Sequence, residues 1–384
     1  MGDFMTFLFS NYQRKSYEIM AGSGSFLIDD TGKRYLDFTS GIGVCNLGYN
    51  NQRLNAALKS QVDQLWHTPN LYQNHLQEEV AEKLCRNYNY LAYFCNSGAE
   101  ANEAAIKLAR KATGKKQIIT FWHSFHGRTY GAMSATGQKS IQKDFVPLVP
   151  DFIHLPYNEF EPVKKAINHK TAAVMLEVVQ GEGGVLPANR KWLATVAKLC
   201  QKNNCLLIVD EVQTGIGRCG TFFAFEDYGI VPDIVTLAKG LGNGFPVGAM
   251  LARKELGVAF GPGSHGSTFG GNKMAMTVAK MVINEIAEQN ILANVTARSE
   301  ELFWGLKEID SPLIKTIRGK GLMIGIVLKD AEMLPLVLTA LEEKGLLTLR
   351  AGKNVLRLLP PLTITKSEIN HALHILSEMF SQWK

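Results

Sequence analysis

The sequence lacks the patterns that identify nucleic-acid-binding and membrane proteins. Its 41 basic residues occur in ones and twos, never in a run of five, although they outnumber the 35 acidic residues and give a formal net charge of +6. No apolar stretch approaches the roughly 18 residues that a membrane-spanning helix needs. We therefore predict neither a nucleic-acid nor a membrane partner, whereas a small anionic ligand suits the excess of positive charge.

The six cysteines form neither a C-x-x-C pair nor a zinc-binding spacing. Such a set is typical of free thiols in a reducing compartment, so we predict a cytoplasmic protein without disulfides and without a metal site. Phe4, Phe7 and Phe9 lie near the first residue, but no basic segment precedes them and polar residues follow. This arrangement argues against a secretory signal peptide.

What the sequence does contain is enough apolar material for a large core. With 384 residues, 46% of them apolar and 20% charged, the chain is too long for one small core. From about residue 92 to 250, short apolar runs without polar alternation are separated by helical stretches, as in a mainly parallel α/β sheet buried on both faces. The runs are Ala92–Cys95, Gln117–Phe121, Ala172–Glu177, Leu206–Asp210, Ile234–Leu237 and Gly248–Ala252.

The regions on either side of this pattern predict a second, smaller unit. We expect an N-terminal segment (1–45) that packs with the small domain, a large domain (46–285) and a small α+β C-terminal domain (286–384). The last helix begins at the capping box Thr365-Lys366-Ser367-Glu368. The other predicted elements are a hairpin at 26–38, helices near 52–65, 76–88, 272–289, 291–308 and 331–344, and strands at Leu322–Leu328 and Val355–Leu359.

Two apolar runs end on residues that suit a ligand site. The run Leu206–Val209 stops at Asp210, and the run Ile234–Ala238 stops at Lys239, which glycines follow. Ligands gather at the carboxyl ends of parallel strands. A lysine desolvated there becomes nucleophilic, and an aspartate can hold a pyridinium nitrogen protonated. Either residue alone is more simply read as a solvated or structural side chain.

A third segment adds an anion site. The run that ends at Cys95 passes through Ser97 and Gly98 into a strongly helix-forming stretch with Glu100 and Glu103 in its first turn. The N-terminus of such a helix presents backbone N–H groups and the positive end of the helix dipole, which suit a phosphate. By itself this segment also fits an ordinary helix cap.

Five segments in this order resemble the class III (subgroup II) aminotransferases, which are fold-type I pyridoxal-phosphate enzymes. The similarity covers nearly the whole chain and is greatest to the acetylornithine branch. It implies a fold-type I α/β architecture, with a mainly parallel seven-stranded sheet in the large domain and a smaller α+β C-terminal domain, and pyridoxal 5′-phosphate as cofactor. The segments are Asn96-Ser97-Gly98, Phe125–Thr129, Asp210–Gln213, Lys239-Gly240 and Gly266–Asn272.

The resemblance implies roles for residues around the cofactor ring. Lys239 would carry the cofactor as a Schiff base and move the substrate proton, and Asp210 would pair with the pyridine nitrogen. Gln213 would contact the phenolic oxygen. Val212 and Phe125 would pack on the two faces of the ring.

The resemblance also implies how the phosphate and one substrate carboxylate are bound. Gly98 and Ala99 would donate backbone N–H groups to the phosphate. Thr268 would bind the phosphate of the neighbouring subunit's cofactor, which implies a homodimer. Arg128 would hold a substrate carboxylate, with Ser267 nearby.

One arginine and one glutamate match a pair that serves two substrates in this family. Arg357 lies between Leu356 and Leu358, so strand alternation turns it to the opposite face. The matching arginine binds the α-carboxylate of 2-oxoglutarate and glutamate through a bidentate fork. Glu182 matches the acid that neutralises this arginine when an ω-amino donor is bound.

The donor predicted from the resemblance is N-acetylornithine, with 2-oxoglutarate as acceptor, in a ping-pong reaction of arginine biosynthesis. Ornithine aminotransferases have a tyrosine at the position of Ile42 that grips the free α-amino group. An isoleucine would leave that ammonium unpaired, which is costly, whereas an acetylated amine tolerates the apolar site. Pro69 departs from the branch pattern and leaves the acyl group open. Succinylornithine, succinyl-diaminopimelate, ornithine and 4-aminobutyrate stay as alternative donors.

Three other classes of enzyme compete with this interpretation. A pyridoxal-phosphate aminomutase would share Lys239, but Gln213 and the pair of Arg357 and Glu182 argue against it. A nicotinamide-dependent oxidoreductase is the second rival, because residues 261–266 match the dinucleotide pattern G-x-G-x-x-G. They contain proline, however, and open no helix after a strand. A zinc hydrolase built on His123 and His126 lacks a third ligand at a useful spacing.

Overall fold

The computed structural model describes residues 7–85 and 87–382. Phe4, used in the argument against a signal peptide, lies outside these ranges. So does Arg86, which falls in the helix predicted near 76–88. Seventeen strands are assigned within the described part of the chain. They are β1 Ile19–Ser23, β2 Phe26–Asp29, β3 Arg34–Asp37, β4 Tyr90–Cys95, β5 Gln117–Phe121, β6 Phe152–Leu155, β7 Thr171–Leu176, β8 Val179–Gln180, β9 Leu186–Pro187, β10 Leu206–Asp210, β11 Ile234–Leu237, β12 Gly248–Arg253, β13 Ile314–Lys320, β14 Met323–Leu328, β15 Leu346–Leu347, β16 Leu349–Ala351 and β17 Val355–Leu358.

The helices cover both faces of the strands, and two 3₁₀ segments, Lys239–Leu241 and Lys254–Phe260, follow β11 and β12. The α-helices are α1 Ser40–Gly43, α2 Gln52–Val62, α3 His75–Cys85, α4 Gly98–Thr113, α5 Tyr130–Ala135, α6 Lys139–Gln142, α7 Phe160–Ala166, α8 Arg190–Lys202, α9 Ala224–Asp227, α10 Lys273–Glu288, α11 Ile291–Lys307, α12 Met333–Glu343 and α13 Lys366–Ser381.

A seven-stranded sheet forms the centre of the molecule, in the order β4-β12-β11-β10-β7-β5-β6. All its neighbours pair in parallel except β12, which runs antiparallel to both β11 and β4. The six predicted apolar runs are six of these strands, so the mainly parallel sheet is confirmed. The seventh strand, β6, was missed because Phe-Ile-His-Leu is short and lies at the sheet edge.

A four-stranded antiparallel sheet, β13-β14-β17-β16, forms the C-terminal part. Its two apolar strands, β14 and β17, were predicted. β13 was missed because its sequence, Ile-Lys-Thr-Ile-Arg-Gly-Lys, is largely polar. The predicted capping box is confirmed: the Thr365 hydroxyl accepts from the Glu368 N–H, and the Glu368 carboxylate accepts from the Thr365 N–H.

The start of the chain joins the C-terminal part through backbone pairing. β1, β2 and β3 form an antiparallel sheet, and β15 adds to β3 in parallel through Leu346 and Leu36. Such pairing is what a folded-back N-terminal segment requires, while the three domain boundaries stay a prediction. In the described part of the chain, no helix is long and apolar enough to cross a membrane.

Candidate active site

A cavity of about 390 Å³ opens at the carboxyl ends of β4, β7, β10 and β11. Parallel strands direct their last residues and the loops after them to one edge of the sheet, which is why segments far apart in sequence meet here. Nine of the twelve predicted site residues line the cavity. They are Gly98, Ala99, Phe125, Arg128, Glu182, Asp210, Val212, Gln213 and Lys239.

Lys239 follows β11 and begins the short 3₁₀ segment. Its backbone has a φ of +44°, in the left-handed region that costs a non-glycine residue about 1 kcal/mol. Desolvation by the surrounding protein lowers the pKa of its ammonium from the usual value, with Glu182 opposing the shift. A lysine held in this way has an increased share of neutral amine, the nucleophilic form.

Asp210, the last residue of β10, is 3% exposed and is held from three directions. One carboxylate oxygen accepts from the Asn102 side-chain amide at 2.8 Å and lies 2.8 Å from His126 Nδ1. The other accepts from the Val212 N–H at 3.0 Å. Asn102 is fixed in turn, because its amide oxygen accepts from the Thr236 hydroxyl at 2.7 Å. These contacts fix the orientation of the carboxylate beside the cavity.

His126 and Asn102 were not given roles from the sequence. His126 lies inside the predicted segment Phe125–Thr129, but its contact with Asp210 joins residues 84 positions apart. Asn102 lies one turn into α4, and the sequence held no sign that it faces Asp210. Only the packing of α4 across the strand ends brings these two side chains to the carboxylate.

The start of α4 forms a cradle of backbone N–H groups at the cavity. Ser97 caps the helix, since its hydroxyl accepts from the Glu100 N–H at 3.2 Å. At Gly98 an added Cβ would come within 2.7 Å of the Val212 side chain. A side chain is therefore excluded at Gly98, and the first N–H groups of the helix stay open to an anion.

At the other side of the cavity, Arg357 on β17 meets Glu182. An Arg357 terminal nitrogen donates to the Glu182 carboxylate at 2.6 Å and to the Gln213 amide oxygen at 3.2 Å. The Arg357 side chain is 3% exposed and that of Glu182 is 31% exposed. The Arg357 Nε has no hydrogen-bond partner within the described residues. A buried guanidinium whose Nε has no partner among these residues, beside a partly solvated acid, is suited to exchange that acid for a substrate carboxylate.

Glu177 is a site residue that the sequence signal could have found. It follows β7 directly, near a strand end as Lys239 is, and it is buried. Its carboxylate accepts from the Phe125 N–H at 3.0 Å and from the Gly181 N–H at 3.2 Å. Burial raises its pKa to about 7, against the attraction of His126. Glu177 thereby fixes both the segment of Phe125 and the loop that carries Glu182.

Three predicted residues lie outside the cavity wall. Arg357 reaches it through Glu182 and Gln213. Ser267 connects to it indirectly, because its hydroxyl accepts from the Asn96 amide at 3.2 Å and Asn96 lines the cavity. Thr268 is exposed at the surface.

Two rival patterns do not acquire the context that their chemistry needs. Residues 261–266 lie in a loop between the 3₁₀ segment Lys254–Phe260 and α10, not between a strand and a helix of a βαβ unit. His126 directs its Nδ1 at Asp210. No group of three metal-ligating side chains occurs among residues 7–85 and 87–382.

The residues present fit pyridoxal 5′-phosphate. The cavity contains an amine of lowered pKa, a fixed carboxylate and an anion cradle at a helix start, in Lys239, Asp210 and Gly98. Phe125 and Val212 supply apolar surface on its wall. Each part of the cofactor therefore has a partner of suitable chemistry. The parts are its aldehyde, its pyridine nitrogen, its ring and its phosphate.

Comparisons with known proteins show the family to which the chain belongs. The family model described as aminotransferase class-III matches residues 9–380. An acetylornithine aminotransferase of Streptococcus mutans is 54% identical over 382 residues, covering 98% of this chain and all of the relative.

Two solved structures extend the likeness to the three-dimensional fold. An ornithine aminotransferase of Toxoplasma gondii superposes with a TM-score of 0.94 at 30% identity, covering 98% of this chain and 93% of that one. An N-acetylornithine aminotransferase of Stenotrophomonas maltophilia does so with 0.85 at 37% identity, covering 97% and 98%. The chain belongs to the class-III aminotransferases, fold-type I enzymes that transfer amino groups with pyridoxal 5′-phosphate.

Proposed function

We propose that this enzyme transfers the δ-amino group of N-acetylornithine to 2-oxoglutarate, yielding N-acetylglutamate 5-semialdehyde and glutamate. The observation that carries the proposal is the ion pair of buried Arg357 with half-buried Glu182 beside the cavity of Lys239. This pair suits an enzyme that binds an amino donor lacking a carboxylate at one end and then a dicarboxylic acceptor in the same place.

The choice of donor rests on sequence rather than on overall shape. Ornithine and N-acetylornithine aminotransferases superpose on the chain with similar TM-scores, so the fold does not separate the two donors. Relatives with the acetylornithine name reach 54% identity over nearly the full length. Ile42, on the segment that leads to Val44 at the cavity, offers no hydrogen bond to a free α-ammonium. The cost of leaving that ammonium unpaired favours the acetylated donor.

The protein's own residues would bind the cofactor and move the proton. When bound, pyridoxal 5′-phosphate supplies an electron sink that allows the carbon bearing the amino group to lose a proton. Asp210 would hold a proton on the pyridine nitrogen, and Lys239 Nζ would carry the substrate proton away and return it. Gly98 and Ala99 would donate N–H groups to the phosphate. Phe125, Val212 and Gln213 would position the ring.

The two substrates would meet different charges at the edge of the cavity. Arg128, which lies with its guanidinium 5.8 Å from the Phe125 ring centroid, would bind the carboxylate of the donor. Glu182 would keep Arg357 neutralised during this half-reaction. In the second, the α-carboxylate of 2-oxoglutarate would replace Glu182 on Arg357 through a bidentate fork.

The proposal includes a homodimer in the cytoplasm that serves arginine biosynthesis. Thr268, exposed on a monomer surface, would bind the phosphate of the partner subunit's cofactor, with Ser267 beside the substrate. The neighbouring Phe269 is 60% exposed, and apolar surface of this kind is suited to burial in an interface.

A donor screen with purified enzyme and 2-oxoglutarate tests the substrate. We expect kcat/KM for N-acetylornithine to exceed the values for ornithine, succinylornithine, succinyl-diaminopimelate and 4-aminobutyrate. A larger kcat/KM for free ornithine would overturn the assignment of the donor. Turnover of any donor without a keto acid would instead indicate an aminomutase.

Lys239→Ala tests the chemistry independently of the donor. The variant should lose the protein-bound cofactor absorption at about 400–430 nm, which borohydride should remove in the wild type, and should lose turnover. Lys198→Ala, a change of an exposed lysine on α8, serves as the matched control. Activity retained by Lys239→Ala would refute the role of this lysine.

A further inference from the structure

A second cavity, of about 670 Å³, lies on the far side of Glu182. Glu182 lines both this cavity and the one that contains Lys239. The second cavity is bounded by the end of β5, by the first turn of α6 and by the turn between β16 and β17. A molecule in the second cavity therefore lies beside Glu182, the residue that pairs with Arg357.

Three cations line this second cavity, which we name the basic vestibule. They are Lys139, Arg350 and Lys353. Among the described residues of this wall, Glu182 is the only one with a carboxylate, and Arg357 already balances its charge. Within residues 7–85 and 87–382, none of the three cations forms an ion pair. Lys139 lies instead 5.6 Å from the centre of the Trp122 ring. The vestibule thus presents uncompensated positive charge to a small molecule.

Backbone contacts connect the vestibule to the loop of Glu182. The Gly352 N–H donates to the Glu182 carbonyl at 2.8 Å, and Gly352 lies between Arg350 and Lys353 in the turn. Two Arg318 nitrogens donate to the Gly184 carbonyl at 3.0 and 2.7 Å. The loop backbone is therefore fixed at Glu182 itself and two residues beyond it, while the Glu182 side chain is 31% exposed. The side chain can leave Arg357 without displacing the vestibule.

The two substrates of the proposed function differ in charge. N-acetylornithine carries one carboxylate and one ammonium, and its net charge is zero. 2-Oxoglutarate carries two carboxylates and no cation. Like-signed charges that line a cleft raise the local concentration and the association rate of the opposite ion about 10- to 1000-fold, and salt weakens this effect. The vestibule would therefore act on the acceptor and leave the donor almost unaffected.

We propose that the basic vestibule is a binding site for the dicarboxylic keto-acid acceptor on its path to Arg357. This inference rests on the proposed function for the order of the two half-reactions. Lys139, Arg350 and Lys353 attract the dianion and hold it beside Glu182. Arg357 then takes the α-carboxylate when Glu182 swings away. The three cations are positioning residues, since none of them touches Lys239.

The test is the triple variant Lys139→Gln, Arg350→Gln, Lys353→Gln, with Lys198→Gln as the control for loss of one exposed cation elsewhere. Each half-reaction is measured separately, by single-turnover changes in cofactor absorbance. At low ionic strength we expect kcat/KM for 2-oxoglutarate to fall about tenfold, and kcat/KM for the donor to change less than about twofold. At about 0.5 M salt the loss should shrink to about twofold.

An equal fall in kcat/KM for both half-reactions would overturn the proposed role of the vestibule. An unchanged salt dependence of the acceptor half-reaction would overturn it too. The charge-reversed variant Lys353→Glu, which should reduce acceptor kcat/KM more than Lys353→Gln does, guards against a fold defect in the triple variant. If Lys353→Glu reduces it no more than Lys353→Gln, the proposal is also wrong. Failure of the wild type to use N-acetylornithine would refute the proposed donor instead, because any donor that aminates the cofactor prepares the acceptor half-reaction.

Discussion

Arg218 and Arg357 are both buried, yet the protein holds them in different ways. The terminal nitrogens of Arg218 donate to the carbonyl oxygens of Leu322 at 3.0 Å and Pro360 at 2.5 Å, and to the Asn46 side chain at 2.7 Å. Within the described residues, Arg357 donates to side chains alone, those of Glu182 and Gln213. Carbonyl oxygens of the backbone cannot rotate away, whereas a glutamate side chain can.

The comparison shows how one residue type serves structure in one place and recognition in another. Arg218 joins Asn46 after α1, the loop before β14 and the segment after β17. Desolvation by burial lowers its pKa to about 10, and the smaller charge effects of Cys219 and Asp37 oppose the shift. Arg357 lies instead beside an acid that is partly exposed to water. The predictions below separate the two roles, beginning with the largest effect.

Arg357→Met should abolish acceptor recognition while leaving the fold intact. We expect kcat/KM for 2-oxoglutarate to fall on the order of 10³-fold, because a bidentate charged contact to the α-carboxylate is lost. The free energy of unfolding should change by less than about 1 kcal/mol, since Glu182 can return to water. Single-turnover kinetics and urea denaturation measure the two quantities. A large loss of stability with normal acceptor kinetics would reverse the roles assigned to the two arginines.

Arg218→Met should give the opposite result. Two buried carbonyl groups and the Asn46 amide oxygen lose their donors, which should cost about 3 kcal/mol of stability. The kinetic constants of the folded fraction should stay near those of the wild type. Arg218→Lys keeps one nitrogen that can donate hydrogen bonds, so it should lose less stability than Arg218→Met. If Arg218→Met alters kcat/KM for one substrate only, Arg218 takes part in recognition.

The same contrast applies to two acids, Glu182 with a cationic partner and Glu211 without one. Glu211 is buried, and its carboxylate accepts from the Phe225 N–H at 2.8 Å and from the Thr214 hydroxyl at 2.7 Å. Burial raises its pKa from the ordinary 4.5 to about 7. The folded state therefore holds this proton more tightly than the unfolded chain does.

The stabilisation from the Glu211 proton is complete below pH 4.5 and is lost as the pH rises through 7. Glu211→Gln imitates the protonated acid at every pH. The free energy of unfolding of the wild type should fall between pH 5 and 8, and this fall should be about 2 kcal/mol smaller in the variant. Urea denaturation at a series of pH values measures this difference. Identical pH profiles for wild type and variant would show that Glu211 is ionised in the fold throughout.

Glu182→Gln should have the smallest effect, a change in the balance of the two half-reactions. Without its charge, Arg357 is no longer neutralised while the donor is bound, and the acceptor no longer has to displace a carboxylate. We expect the ratio of acceptor to donor kcat/KM to rise about tenfold. Separate measurement of both half-reactions provides the ratio, and an unchanged ratio would show that Glu182 does not control Arg357.

The sequence predicted the strands more completely than it predicted the contacts between side chains of different elements. Six of the seven strands in the large sheet were predicted, because unbroken apolar runs report burial on both faces directly. β13 was missed because its side chains are mostly polar. In the site, Lys239 and Asp210 were found at strand ends, and Glu177 bears the same signal and was overlooked. His126, Asn102 and Arg218 carry no local signal, since their partners come from other elements.

By itself the sequence determined six strands of the large sheet, the capping box at Thr365 and the order of the motifs that place the chain among the class-III aminotransferases. These properties depend on residues within a few positions of one another. The tertiary structure alone decided which side chains meet, such as Asn102 with Asp210 and Arg218 with two carbonyl groups. It also decided that Lys139 lies with Arg350 and Lys353 across Glu182. Such meetings depend on the order of strands in the sheets and on loop paths, which no local pattern of residues records.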